Sequence, residues 1–136
     1  MAQSPDLDYA LSTLKATPGD EYVFAHLDHV PSGIDPFAVI HDDDGYTIVV
    51  EKSQAQSIGL DVSKTYAQVI LGLDANLDSI GITATIAQLM TARSIVANII
   101  TCVHHDHLFV QADRANEAVA TLTDLAKNAQ GWLPRG

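Results

Sequence analysis

The chain carries one cysteine, Cys102, in 136 residues. That excludes an intramolecular disulfide, and inside an apolar strand pattern Cys102 reads as a small buried core thiol. Basic side chains are scarce too: seven Lys and Arg stand against seventeen Asp and Glu, a formal net charge of −10. Such a balance repels phosphate backbones and anionic lipid surfaces, so nucleic acid is not an expected partner. No apolar run approaches the roughly 20 residues that cross a bilayer, so no membrane partner is expected. Met1–Asp6 has neither the basic region nor the apolar segment that directs secretion, and a cytoplasmic location follows. Phosphate loops, dinucleotide fingerprints and the G-x-S-x-G elbow are also missing. No catalytic residue set is identified, and neither enzyme activity nor a cofactor is expected.

What is present is a core. Apolar residues make up 47% of the chain and charged residues 18%, the balance of a globular protein, and at this length roughly two-thirds of the unfolded surface can be buried. Asp6 to Lys15 places Leu7, Ala10, Leu11 and Leu14 on one helical face, with Pro18-Gly19 as its end. Strands are predicted at Tyr22–Leu27, Phe37–His41 and Tyr46–Glu51, the last two joined by a hairpin around Asp44-Gly45. The run Asp42-Asp43-Asp44 lacks the spaced ligands of a calcium loop and reads as turn. Ser53 caps a short helix to Ile58 that Gly59 stops.

The second half has another order. A strand at Tyr66–Leu73, a polar loop at Asp74–Ser79, and a helix at Ile82–Arg93 with Ile82, Ile86, Leu89 and Met90 on one face come first. Strands at Val96–Val103 and Leu108–Gln111 follow, and Asp113 caps a helix whose inner face is Ala115, Ala118, Val119, Leu122, Leu125 and Ala126. Strand-helix-strand-strand-helix is one strand short of the split β-α-β pattern. No Gly/Ser-rich linker separates the halves near Asp61–Lys64, so they are expected to share a sheet or pack rigidly.

Between the last two strands lies His104-His105-Asp106-His107. On a strand His105 and His107 project to one face and His104 and Asp106 to the other. An H-x-H pair suits zinc or iron with a further ligand from elsewhere, and His26 and His29 are the candidates. A turn is also where Asp and His serve the backbone. The structural turn is the leading reading, with a metal-binding protein or metal-dependent hydrolase as the alternative.

Several of these residues form a recognisable set. Tyr22-Val23-Phe24, Gly45-Tyr46-Thr47-Ile48-Val49-Val50, Gly81-Ile82-Thr83-Ala84, Asn98 and His105-Asp106-His107-Leu108-Phe109-Val110 resemble the small bacterial tandem ACT-like domain proteins of uncharacterised function. The similarity runs from about Leu7 to Ala126. It implies an α+β, ferredoxin-like protein with two ACT-like subdomains, 1–63 and 64–130, antiparallel sheets packed on helices, and a tail at 131–136. It further implies a homodimer that binds a small molecule, most plausibly an amino acid, at a subdomain or subunit interface, in a regulatory role. Carried residue by residue, the ligand positions are Asn76, Asp78, Gly81 and Ile82 around the helix start, with Ala97 and Asn98 opening the next strand. A glycine there allows close backbone approach, exposed first-turn amides hold a carboxylate, and Asn98 can both donate and accept. A scaffold that docks a partner without a ligand is the remaining alternative. The chain departs from the family pattern in three places: Cys102-Val103-His104 replaces Gly-Tyr-Tyr, Ser94 replaces Gly, and Gln111 replaces a common Pro.

Overall fold

Alternating apolar positions build one sheet from both halves of the chain. The computed structural model describes residues 5–134. Met1–Ser4, part of the stretch read for a leader, and the last two residues of the tail lie outside them. The strands are β1 (Lys15–Leu27), β2 (Ala38–Asp42), β3 (Gly45–Glu51), β4 (Tyr66–Gly72), β5 (Asn98–Thr101) and β6 (Asp106–Gln111), ordered β2-β3-β1-β4-β6-β5. Every pairing is antiparallel. The seam between halves is β1 against β4, so β1 supplies the edge that the second half lacks. Helices α1 (Pro5–Ser12), α2 (Lys52–Ser57), α3 (Ile82–Ala92) and α4 (Ala115–Gln130) complete an α+β, ferredoxin-like arrangement.

β1 begins seven residues before the strand expected at Tyr22, and Pro18-Gly19 lies inside it rather than ending a helix. The reason is that β3 pairs only with Tyr22 onward. Before that point β1 is bonded on one side only, to β4, and a proline without an N–H is tolerated on such an open edge. The register then shifts between Pro18 and Glu21, as a bulge allows. The first helix stops earlier because the Ser12 and Thr13 hydroxyls bond the carbonyls of Tyr9 and Ala10.

Two expected caps are also corrected. Glu51, not Ser53, precedes α2, and the Ser53 hydroxyl donates to the Glu51 carboxylate instead of capping an amide. Asp113 falls within a 3-10 turn at Ala112–Arg114, so Arg114 stands at the start of α4, without a side-chain cap. The hairpin turn is Asp43-Asp44, with Asp42 opposite Gly45. Gly45 has φ +134, and a Cβ there would sit 2.7 Å from the Leu27 carbonyl oxygen, which explains glycine at the first residue of β3 instead of within the turn.

All four helices cover one sheet face. Leu11, Leu14, Val69, Leu71, Ile86, Met90, Leu108, Val110, Leu122 and Ala129 form the larger core, which mixes α1 with the second half of the chain. Val23, Ile48, Val50 and Ala55 form a smaller one under α2. The other face carries no helix. There Phe109 is fully buried at the centre of edge-to-face rings from Tyr22, Phe24 and Phe37, centroids 5.2–5.6 Å away. Phe37 precedes β2 and also lies 4.6 Å from the His107 ring, so the β1–β2 connection covers this face in place of a helix. Cys102 is exposed, against the expectation of a core thiol. β5 ends at Thr101, and the apolar run Cys102-Val103 continues past the last paired residue into the turn.

Candidate functional site

The polar loop between β4 and α3 folds on its own side chains. The Asn76 Oδ1 accepts from the Asp78 amide at 2.9 Å, the Ser79 Oγ accepts from the Asn76 amide at 3.0 Å, and the Thr13 hydroxyl holds the Asp74 amide at 2.8 Å. The loop leads into Gly81, the residue before α3, at φ +94. A Cβ at Gly81 would lie 2.9 Å from the Leu7 Cδ2, so glycine is required there both by conformation and by the approach of α1. The first turn of α3 follows, with the Thr85 amide as the earliest to bond within the helix, to the Gly81 carbonyl. The amides of Ile82, Thr83 and Ala84 precede that bond and have no intrahelical acceptor.

α3 runs back along β5, so its first turn meets the far end of that strand. Between them opens a cleft of about 290 Å³, walled by Leu73, Ala75, Asn76, Leu77, Ser79, Ile82 and Thr83 on one side and Thr101 to Asp106 on the other. A second, more open hollow of about 700 Å³ lies across the loop, between Asp74–Ile82 and the α1 residues Asp6, Leu7, Tyr9 and Ala10.

The floor of the smaller cleft is Asp106. It pairs with Leu71 of β4 and Thr101 of β5, and its side chain shares the helix-covered face with Leu108 and Val110. Only 8% of it is exposed. Its carboxyl makes no hydrogen bond or ion pair with the described residues, and desolvation alone holds its pKa above the ordinary carboxylate range. His107, next along β6, faces the other way. His107 Nδ1 accepts from the buried Gln68 amide at 3.1 Å, and burial, aided by the charge of His105, pushes its pKa down. That contact fixes the ring, since Gln68 Nε2 can only donate.

The residues expected to bind ligand are divided by this geometry. Asn76 and Ile82 border both hollows, Asp78 borders the larger one, and Gly81 sets the bend between them. Ala97 and Asn98 are not brought to either: Asn98 opens β5 opposite Phe109, with Ala97 just before it, at the other end of the strand. Thr83, Thr101 and Asp106 were not among the expected binding residues. Asp106 did carry a signal, because strict alternation with Leu108 and Val110 puts a carboxylate in core-facing register.

The four-histidine alternative is not assembled. His107 pairs with Ile70, and Ile70 with Thr17 of β1, nine residues before His26, a separation of roughly 25–30 Å along the strand. His26 instead lies 3.4 Å from Asp44 across the hairpin. Among the described residues no three His, Cys, Asp or Glu side chains come together to hold a metal ion. No helix among them is long and apolar enough to cross a membrane.

Comparison with known proteins agrees with this architecture. Residues 5–67 match the family model of the ACT domain. A protein of unknown function from Vibrio cholerae, described as a possible transport protein, superposes with a TM-score of 0.80 at 29% identity, covering 90% of this chain and 99% of its own. A protein from Agrobacterium tumefaciens gives 0.61 at 15% identity, covering 84% of this chain and 90% of its own. The alpha and beta subunits of an aspartokinase give 0.54 at 12%, covering 85% and 94%. The last two show a shared fold alone. No curated protein matches the sequence.

Proposed function

From the premise that this chain carries an ACT domain, at residues 5–67, we propose that it is a non-enzymatic regulatory protein that binds a small molecule, most plausibly an amino acid. Two ACT-like subdomains, 1–63 and 64–130, share the single sheet, and the cytoplasm is the proposed location. The observation that carries the reading is the cleft at the start of α3, where unbonded amides and a polar loop face a buried carboxyl. Its volume of about 290 Å³ lies just below the roughly 300–1,000 Å³ of pockets for drug-sized molecules, a size that suits an amino acid. A ligand-free scaffold has no need of such a cleft.

Leu77, Ile80 and Val103 around the loop and turn are exposed by 59%, 88% and 64%. Apolar groups this open support closure by a second subunit, the proposed homodimer, which would place the ligand near an interface. The departure at Cys102-Val103-His104 lies in the cleft wall, so the ligand's side chain is where this protein would differ from its relatives.

Thermal-shift measurements against the twenty amino acids, each at millimolar concentration, test the reading. A ligand at 100 times its Kd stabilises the fold by about 2.7 kcal/mol, an easily read rise in Tm. Absence of any rise with all twenty would remove the amino-acid reading.

A further inference from the structure

Asp106 brings to the smaller cleft a carboxyl that has no partner among the described residues. The residue is 8% exposed, it lines the cleft, and none of the described residues donates to its carboxyl. A carboxyl in such a place has lost part of its hydration, and a donor that reaches it recovers that cost. None of the residues lining the cleft is Lys or Arg, and neither of its two histidines, His104 and His105, is bonded to the Asp106 carboxyl.

The rest of the wall narrows the donor's chemistry. Asp106 is the only acidic residue of the lining and the whole chain is acidic, which favours a cation over an anion at the floor. The first turn of α3 stands on the opposite wall, where Ile82 and Thr83 line the cleft and their amides lack intrahelical acceptors. A helix start of this kind receives a negative group. The two walls therefore differ in sign across one small hollow.

We infer that Asp106 is the anchor for a protonated amine, with the ligand's ammonium on its carboxylate and the opposite, anionic end of the same molecule on the α3 amides. This deepens the proposed amino-acid reading and rests on it for the identity of the ligand, but not for the role of Asp106. It assigns a ligand contact to the first residue of β6, in place of Ala97 and Asn98. It also separates two tasks within Asp106-His107: the histidine faces the helix-free side, where it is tied to Gln68, and the aspartate faces the ligand.

The test compares three probe sets on the full chain and on Asp106→Asn. These are the twenty amino acids, simple alkylamines such as isobutylamine, and matched acids without an amine such as 3-methylbutanoate. The readouts are Tm and the ¹³C chemical shift of the Asp106 carboxyl. Expected are a moved Asp106 resonance with amines and amino acids, none with the acids, and a loss of affinity of about 10- to 100-fold in Asp106→Asn, the value of one charged hydrogen bond. If an amino acid binds but leaves the Asp106 resonance still, or binds Asp106→Asn equally well, the anchor is wrong and the amino-acid reading stands. If amines move Asp106 while no amino acid stabilises the protein, the reading falls and the anchor stands. Binding of the acids alone, or of no probe, overturns the anchor. The wild-type probe comparison decides these cases without relying on the variant's folding.

Discussion

Replacing Ser94 by glycine is expected to stabilise this protein, although serine makes the larger side chain. Ser94 has φ +57, the only left-handed non-glycine residue among those described. It follows Arg93 at the end of α3, where its amide bonds the Thr91 carbonyl and the Ile95 amide bonds Met90, each at 3.0 Å. That is the Schellman ending, whose left-handed position favours glycine. α2 provides an internal comparison: it closes in the same way, Gly59 bonding Gln56 and Leu60 bonding Ala55, with Gly59 at φ +78. α3 thus ends by the same geometry with the less suitable residue.

A non-glycine residue in the left-handed region costs roughly 1–2 kcal/mol, and glycine returns about 0.5–1 through the freer unfolded chain. The Ser94 hydroxyl makes no hydrogen bond with the described residues, so nothing else is lost. The net is a gain of about 0.5–1 kcal/mol, or roughly 2–4 °C in Tm for a domain of this size. Urea denaturation should show a higher midpoint with unchanged slope. Gln111 complicates this usefully, because its Oε1 accepts from the Val96 amide at 2.7 Å and its Nε2 donates to the Ser94 carbonyl at 3.4 Å. The two residues at which the chain departs from the family's Gly and Pro are therefore bonded to each other, Gln111 clamping the turn that Ser94 strains. In a Gln111→Ala background the turn can relax, and the gain from glycine should shrink by about 0.5 kcal/mol. A Ser94→Gly variant that is neutral or less stable would refute the argument from backbone strain.

Gly81→Ala should be destabilising by about 1–3 kcal/mol, since φ +94 and the Leu7 side chain 2.9 Å from the new Cβ both oppose it; calorimetry measures it. Phe109→Ala empties the aromatic centre of the helix-free face and should cost about 3–5 kcal/mol in denaturant unfolding, with little effect on the cleft, from which Phe109 is absent. For ligand-free Asp106→Asn the sign follows from the raised pKa. Protonation is favoured in the folded state, so stability from this group is fully present at low pH and lost as pH rises through the folded pKa. The variant should equal the wild type in acid and exceed it near neutrality by about 1 kcal/mol, and a constant gap across pH would contradict this.

The strands were readable where one face is buried along their whole length. Tyr46–Glu51 and Leu108–Gln111 stand out as short apolar runs because Ile48, Val50, Leu108 and Val110 meet helices while Val49 and Phe109 are buried on the other face. Reading failed where an element's limits depend on a partner. Pro18-Gly19 looks like punctuation until β1 is seen to be bonded on one side there. Val96–Val103 looks like one strand because apolar residues continue, yet Val103 is 64% exposed at the cleft wall. The site divides in the same manner. Asn76, Gly81 and Ile82 are local to one loop and its helix start, so sequence proximity kept them together. Ala97 and Asn98 were carried with them, but α3 runs antiparallel to β5, which sends the start of that strand to the opposite end from the start of the helix. What meets the helix start is Thr101 to Asp106, and only the pairing register says so.

That register also separates what can vary from what cannot. Asp106 is held between Leu71 and Thr101 on two paired strands, so its position is fixed by the sheet. Cys102, Val103 and His104 lie beyond the last paired residue of β5 and are exposed, so they can change without moving a strand. These three are also the residues that replace Gly-Tyr-Tyr. Replacing Cys102-Val103-His104 by Gly-Tyr-Tyr should therefore leave folding nearly unchanged, within about 0.5–1 kcal/mol, while changing which amino acid raises Tm most. The requirement for an amine should survive the exchange, because its proposed partner lies on the fixed side of the cleft. If the exchanged protein instead bound amine-free acids, the division between a constant anchor and a variable wall would be wrong.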